Sequence, residues 1–225
     1  MKYNATHYAV FSQSLYKQEG AVGHKVKDWW KYVTSDEKSN LPCKKLTRTQ
    51  LKELCRNKSF SNKECLGAVM AWGGQNRKHG ETVFSRFKEI KPIISDMRSG
   101  QIDHIQAYKN FYQIWKQDKQ LGMGAAYFTK LIFFCQPSHQ GFIMDQWTSK
   151  STNLFCDEDV IHLIQGWVSK KNDHKTYEKF CSIVCDLAIK MSITPEDVEM
   201  AMFSKGGRKK EKWRQYVIEE STKRT

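Results

Sequence analysis

Apolar residues in this chain recur at helical spacing, and only four prolines interrupt the pattern; that combination constrains the fold more than any other feature. Ile102, Ile105, Tyr108, Tyr112 and Trp115 fall on one helical stripe. The same reasoning predicts helices over Leu46 to Cys55, Cys65 to Trp72, Glu81 to Ile90, Val160 to Val168 and Tyr177 to Lys190. Ser192-Ile-Thr-Pro-Glu-Asp reads as a helix start: Thr194 caps, Pro195 takes the first helical position and Asp197 lies near the positive end of the dipole. That helix should reach Phe203 and end by Gly206-Gly207, with the basic run Arg208 to Arg214 as a further short helix or a tail. The expected fold is all-α.

Charge narrows the partners. The 225 residues carry 37 Lys and Arg against 24 Asp and Glu, a net +13, and the excess is clustered. Residues 24–58 contribute +6, residues 204–225 contribute +5, and the rest of the chain +2. Two distant basic stretches point to a surface that neutralises phosphates, although a merely soluble basic protein would share this composition. The longest apolar run, Leu131 to Cys135, is far too short to span a bilayer, so a membrane is not an expected partner. The amino-terminal residues show no apolar signal segment, and the seven cysteines are scattered with no Cys-x-x-Cys pair. Both facts favour reduced thiols in a cytoplasm, with no metal or other cofactor. Cys181 and Cys185 lie one helical turn apart but have no further ligands, and His79, His104 and His139 lack metal or triad spacing.

The segment richest in chemistry runs from Leu121 to Cys135. A helix ends at Leu121, Gly122-Met123-Gly124 turns sharply, and a second apolar helix starts at Ala125. Glycines allow the backbone to approach a phosphate, and free amides at the second helix's start would bind it. An ordinary turn between antiparallel helices reads the same way. Asp145 follows 21 residues after Gly124, with Lys150 five residues further on.

On these residues the chain resembles the helix-hairpin-helix DNA glycosylases. The runs Phe128-Thr-Lys-Leu-Ile-Phe-Phe, Phe142-Ile-Met-Asp-Gln, Tyr177-Glu-Lys-Phe-Cys and Val198-Glu-Met-Ala-Met-Phe203 look like the prokaryotic 8-oxoguanine glycosylase-like branch. The likeness covers roughly Gly67 to Phe203 and is strongest between Leu121 and Lys150. It implies a bilobed helical fold with a cleft between lobes. The expected division is 59–150 for a core holding the helix-hairpin-helix, and 1–58 plus 151–225 for a second lobe. It also implies a catalytic role for Asp145, because breaking an N-glycosidic bond develops positive charge on the sugar that a carboxylate stabilises. Asp145 as a plain helix cap is the alternative.

Bifunctional members of that superfamily carry a lysine two residues after the second hairpin glycine, where this chain has Ala126. Lys130 lies one turn along the same face and is the candidate amine nucleophile or base contact; a phosphate or solvent contact is the alternative. Trp72-Gly-Gly-Gln-Asn-Arg77 is the candidate wedge, offering Gln75 and Asn76 to replace an extruded base and Arg77 for its partner or a phosphate. Candidate pocket residues are Ala126, Tyr127, Trp147 and Phe203; Phe128 and Trp213 are further aromatics of which most should be core, as should Trp29-Trp30. The expected protein is a monomer acting on double-stranded DNA with a damaged or modified base, first of all an oxidised purine such as 8-oxoguanine. Two other readings remain open: excision of a bulky modified base from foreign DNA in defence, and a non-catalytic DNA-binding module.

Overall fold

The computed structural model describes residues 2–15, 20–34, 38–117, 121–138, 140–204 and 210–223. His139, Gly206-Gly207 and the start of the basic run at 208 lie outside the described residues. Among those described, the chain is all-α, with twelve helices and one two-stranded hairpin, and no helix is long and apolar enough to cross a membrane. The chain divides into two compact units, residues 19–141 and residues 1–18 with 142–225.

In the unit of residues 19–141, five helices gather around two that are apolar nearly all round. These are α4 (Asn62–Trp72), buried from Glu64 to Trp72, and α8 (Ala125–Cys135), buried from Phe128 to Cys135. A helix apolar on every face can only sit at the centre. Around the pair lie α2 (Val26–Thr34), α3 (Arg48–Arg56), α5 (Arg77–Ser85), α6 (Phe87–Ser99) and α7 (His104–Gln117). Capping boxes fix the starts of two of these helices, Thr47 with Gln50 on α3 and Ser61 with Glu64 on α4. The adjacent Trp29 and Trp30 are both core, each 2% exposed, and each packs where a glycine leaves room. A Cβ on Gly67 would lie 2.7 Å from the Trp30 ring, and one on Gly80 would lie 2.7 Å from the Trp29 ring.

In the other unit, α9 (Gln146–Cys156) is central and packs against α1 (Ala5–Ser12), α11 (Pro195–Phe203) and α12 (Lys212–Lys223), while α10 (His174–Met191) packs on α11. Phe155 of α9 stacks on Trp213 of α12 at 5.2 Å and 3°, and Phe11 of α1 meets both rings edge-on at 4.9 Å. Polar bonds bind the same three helices: the Trp213 indole donates to Ser151 Oγ at 2.9 Å, the Asn4 amide donates to the Phe155 carbonyl at 2.8 Å, and His7 meets the Tyr216 hydroxyl at 2.8 Å.

These units do not follow the expected 59–150 division. Residues 20–58 join the helix-hairpin-helix because Trp29 and Trp30 bring α2 onto α4 and α5, and α3 covers α8. Residues 142–150 go with the other unit because α9 is its centre. The expected helix over Val160 to Val168 is instead a hairpin of β1 (Leu163–Ile164) and β2 (Trp167–Val168). Its turn puts Gln165 at φ 51° and Gly166 at φ 80°, both left-handed as a two-residue hairpin loop requires, and no helix continues through such a pair. The expected helix from Glu81 to Ile90 is broken at Arg86 into α5 and α6. Thr194 caps α11 as expected, accepting from the Asp197 amide at 3.1 Å.

An alanine in place of a glycine ordinarily stabilises a helix, but at position 67 the buried Trp30 ring blocks the methyl group. Gly67→Ala is therefore expected to destabilise the protein by about 1–3 kcal/mol, read as a lower urea midpoint at unchanged slope.

Candidate functional site

The glycine turn is built as its sequence suggests. Gly122 has φ 74°, and a Cβ there would lie 2.6 Å from the His79 carbonyl oxygen, so both conformation and space demand glycine. Met123 is buried and Gly124 is the extended residue that opens α8. The amides of Ala125 and Ala126 find no acceptor among the described residues, which is the usual state of a helix's first turn and the arrangement that suits a phosphate.

The loop after α4 supports this turn. Gln75 is 4% exposed, and its side-chain amide donates to the Gly122 carbonyl at 2.8 Å. It therefore braces the hairpin and is not presented as a wedge. Asn76 caps α5 by accepting from the Lys78 amide at 2.9 Å but is itself exposed. Arg77 is exposed and stacks its guanidinium 3.3 Å from the centre of the Tyr32 ring, joining the candidate loop to the basic stretch of residues 24–58.

Lys130 is 9% exposed. Helical side chains lean toward the amino terminus, so its stem runs back one turn and its ammonium donates to the Ala126 carbonyl at 3.0 Å. The amine thus sits at the level of residue 126. Tyr127 flanks it: its ring centre is 5.2 Å from the Lys130 nitrogen, and its hydroxyl donates to the Gly73 carbonyl at 3.1 Å. Gly73 is small for this reason, since a Cβ would lie 2.8 Å from the Tyr127 ring and 3.2 Å from the Lys130 stem.

The second cluster lies in the unit of residues 1–18 and 142–225. Asp145 is 7% exposed and caps α9, with Oδ1 accepting from the Trp147 amide at 2.8 Å and the Thr148 amide at 3.1 Å. The Asp145 amide in turn donates to the Thr148 hydroxyl at 2.9 Å. Among the described residues every hydrogen bond to this carboxylate falls on Oδ1, so Oδ2 is held in position without a donor of its own.

Arg214 of α12 supplies a cation. It is 5% exposed, lies 3.7 Å from the centre of the Trp147 ring and 5.0 Å from that of Phe203, and donates to the Phe203 and Ser204 carbonyls. Burial pulls its pKa down to about 10, and the nearby Asp145 carboxylate opposes that fall, so the guanidinium is charged at neutral pH. The Lys150 ammonium lies 5.1 Å from the centre of the same indole. The structure thus gathers Asp145, Trp147, Lys150 and Phe203 around an arginine that sequence reasoning missed. Arg214 stands in a basic run, between the exposed Lys212 and Gln215, and the adjacent Trp213 is the one local sign that it is buried.

The arrangement can hold a carboxylate fixed beside aromatic surface and, in the other unit, an amine beside the first turn of α8. His79 contributes only its carbonyl to Gly122, and His104 opens α7. Among the described residues no group of three or more His, Cys, Asp or Glu could hold a metal ion.

No curated protein and no solved structure gives a significant match to the chain. One family model does, over residues 19–203, which takes in the hairpin, Lys130, Asp145 and Phe203 and leaves out α1 and α12. On that match the chain belongs to the family described as "Putative 8-oxoguanine DNA glycosylase OGG-like protein".

Proposed function

We propose that this protein extrudes an oxidised purine, such as 8-oxoguanine, from double-stranded DNA and hydrolyses its N-glycosidic bond with Asp145 as the catalytic carboxylate. The observation that carries this reading is the Asp145 carboxylate itself: Oδ1 is committed to two helix amides, while Oδ2 has no donor among the described residues. As the bond from C1′ to the base nitrogen breaks, its electron pair leaves with the base and the sugar becomes oxocarbenium-like. An ionised carboxylate stabilises that charge and accepts the proton of the water that attacks C1′. Gly122, Met123 and Gly124, with the Ala125 and Ala126 amides, are the proposed grip on the DNA backbone, and Arg77 and Lys150 are proposed phosphate contacts.

Lys130 is the proposed amine of an accompanying lyase step. Ala126 stands where bifunctional relatives of the resemblance carry their lysine, and the Lys130 ammonium is 3.0 Å from the carbonyl of that residue. The free Lys130 amine would condense with the C1′ aldehyde of the abasic sugar, releasing water to form a Schiff base, and loss of a C2′ proton would then expel the 3′-phosphate and cut the strand. The capping box at Asp145 favours one competing reading, in which the acid is purely structural and the protein binds DNA without chemistry.

Asparagine caps a helix almost as well as aspartate, so Asp145→Asn keeps α9 capped and removes the charge. The expected result is a loss of base release of about 10²- to 10³-fold, measured on a panel of lesion-bearing duplexes, with duplex binding retained. A wild-type protein that binds those duplexes and releases no base from any of them would establish the binding-module reading instead. In borohydride trapping on an 8-oxoguanine duplex, the wild type should form a covalent adduct that Lys130→Gln abolishes and Lys150→Gln does not. Base release without any adduct would make the enzyme monofunctional. Binding should weaken steeply with salt, with a log–log slope of about 0.9 per phosphate contacted.

A further inference from the structure

We propose that the hairpin of β1 and β2 is a second DNA-contacting element, whose Ile164 and Trp167 side chains form an apolar plate against an unstacked nucleobase close to the sugar at Asp145. The inference rests on the glycosylase reading for its partner, but stands on separate residues.

Ile164 and Trp167 are direct cross-strand partners and so share one face of the hairpin, yet they are 54% and 64% exposed. Both fall among the few large apolar side chains left in water. A hairpin with two residues per strand has no stability of its own, so something else must hold it. Two buried asparagines do. Asn153 of α9, 7% exposed, clasps Ile161 with both ends of its amide, donating to the carbonyl at 2.8 Å and accepting from the amide at 2.9 Å. Asn172, 1% exposed, does the same to His162, at 2.8 Å each way, and also donates to the Ser169 carbonyl at 3.0 Å. The base of the hairpin is thus fixed by five hydrogen bonds from buried amides, while its tip adds no apolar group to the core. A rigid mount that presents an indole and a branched aliphatic side chain to solvent is an arrangement suited to wedging between bases or stacking on one.

Position selects DNA as the occupant. The hairpin packs on α9, the helix that Asp145 caps. A Cβ on Gly166 would lie 3.9 Å from the Lys150 ammonium, and Lys150 also covers the Trp147 ring that adjoins Asp145. Five residues of α-helix are about 7.5 Å. Nucleotides along a duplex strand are about 3.4 Å apart. A strand whose sugar reaches Asp145 therefore passes the hairpin turn within roughly two to four nucleotides. Lys150 lies beside the turn, and the exposed Lys171 follows three residues after β2, so cations for the neighbouring phosphates are at hand. The acidic run before β1 is partly absorbed within the fold, Glu158 by Lys179 at 3.0 Å and Asp159 by the Asn153 amide at 3.4 Å.

The test uses the full chain and an 8-oxoguanine duplex carrying 2-aminopurine at each of the four nucleotides on either side of the lesion. Binding is read by anisotropy and unstacking by 2-aminopurine fluorescence. Trp167→Ala should weaken binding roughly 5- to 150-fold, the range for removing one base–aromatic stack, and should abolish the fluorescence rise at one or two positions. Ile164→Ser should give a smaller loss in the same direction, and Trp167→Phe should restore most of both signals, which a merely structural role would not predict. The two side chains are exposed, so the variants should melt like the wild type. Binding and fluorescence unchanged in Trp167→Ala and Ile164→Ser would overturn the inference while leaving base release, and the glycosylase reading, intact. A wild-type dimer dissociated by Trp167→Ala in sedimentation would also overturn it, assigning the plate to a second copy of the chain. Loss of the signals in a protein that releases no base would uphold the plate and sink the glycosylase reading instead.

Discussion

The bond on which the catalytic account depends is the one between Asp145 Oδ1 and the first amides of α9. A carboxylate used this way is fixed in position by the helix it begins, and its charge is matched to the helix dipole. The same bond explains why the residue is ambiguous: a cap and a catalytic acid want the same place, at a helix start beside open space. What the catalytic reading draws on beyond the cap is the second oxygen, together with the buried cation nearby. That cation, the Arg214 guanidinium, is held on the Trp147 and Phe203 rings.

Much of the fold was legible because it rests on local chemistry. Thr194 and Pro195 start a helix as their residue types require, and Gly122 has the left-handed backbone that the turn needed. What was missed depends on partners far away in sequence. Leu163, Ile164, Trp167 and Val168 have apolar spacing that either a helix or a hairpin can satisfy, and the choice is made by Gln165-Gly166 together with Asn153 and Asn172. Gln75 looked like an extruding side chain because it follows two glycines. Its amide in fact holds the Gly122 carbonyl, which no local pattern could reveal.

The same limit applies to the candidate site. Asp145, Lys150 and Trp147 are close in sequence and were found together, while Arg214 is 69 positions from Asp145 and sits in a segment that reads as a charged tail. Its burial follows from the neighbouring Trp213, whose indole packs against both Phe11 and Phe155 and draws α12 onto α9. The charge that faces the acid is thus delivered by hydrophobic packing of the residue before it.

The aromatic cluster of Phe11, Phe155 and Trp213 also sets an order of events during synthesis. Residues 19–141 have all their own contacts available while later parts of the chain are still being translated, so that unit can close early. The other unit is discontinuous: α1 precedes α9 and α12 in the chain, so Phe11 has no ring to meet until α9 and then α12 have emerged. The packing around the helix that carries the acid is therefore complete only once α12 has emerged, and a polypeptide stalled before residue 213 would hold the glycine turn without the full helical frame around α9.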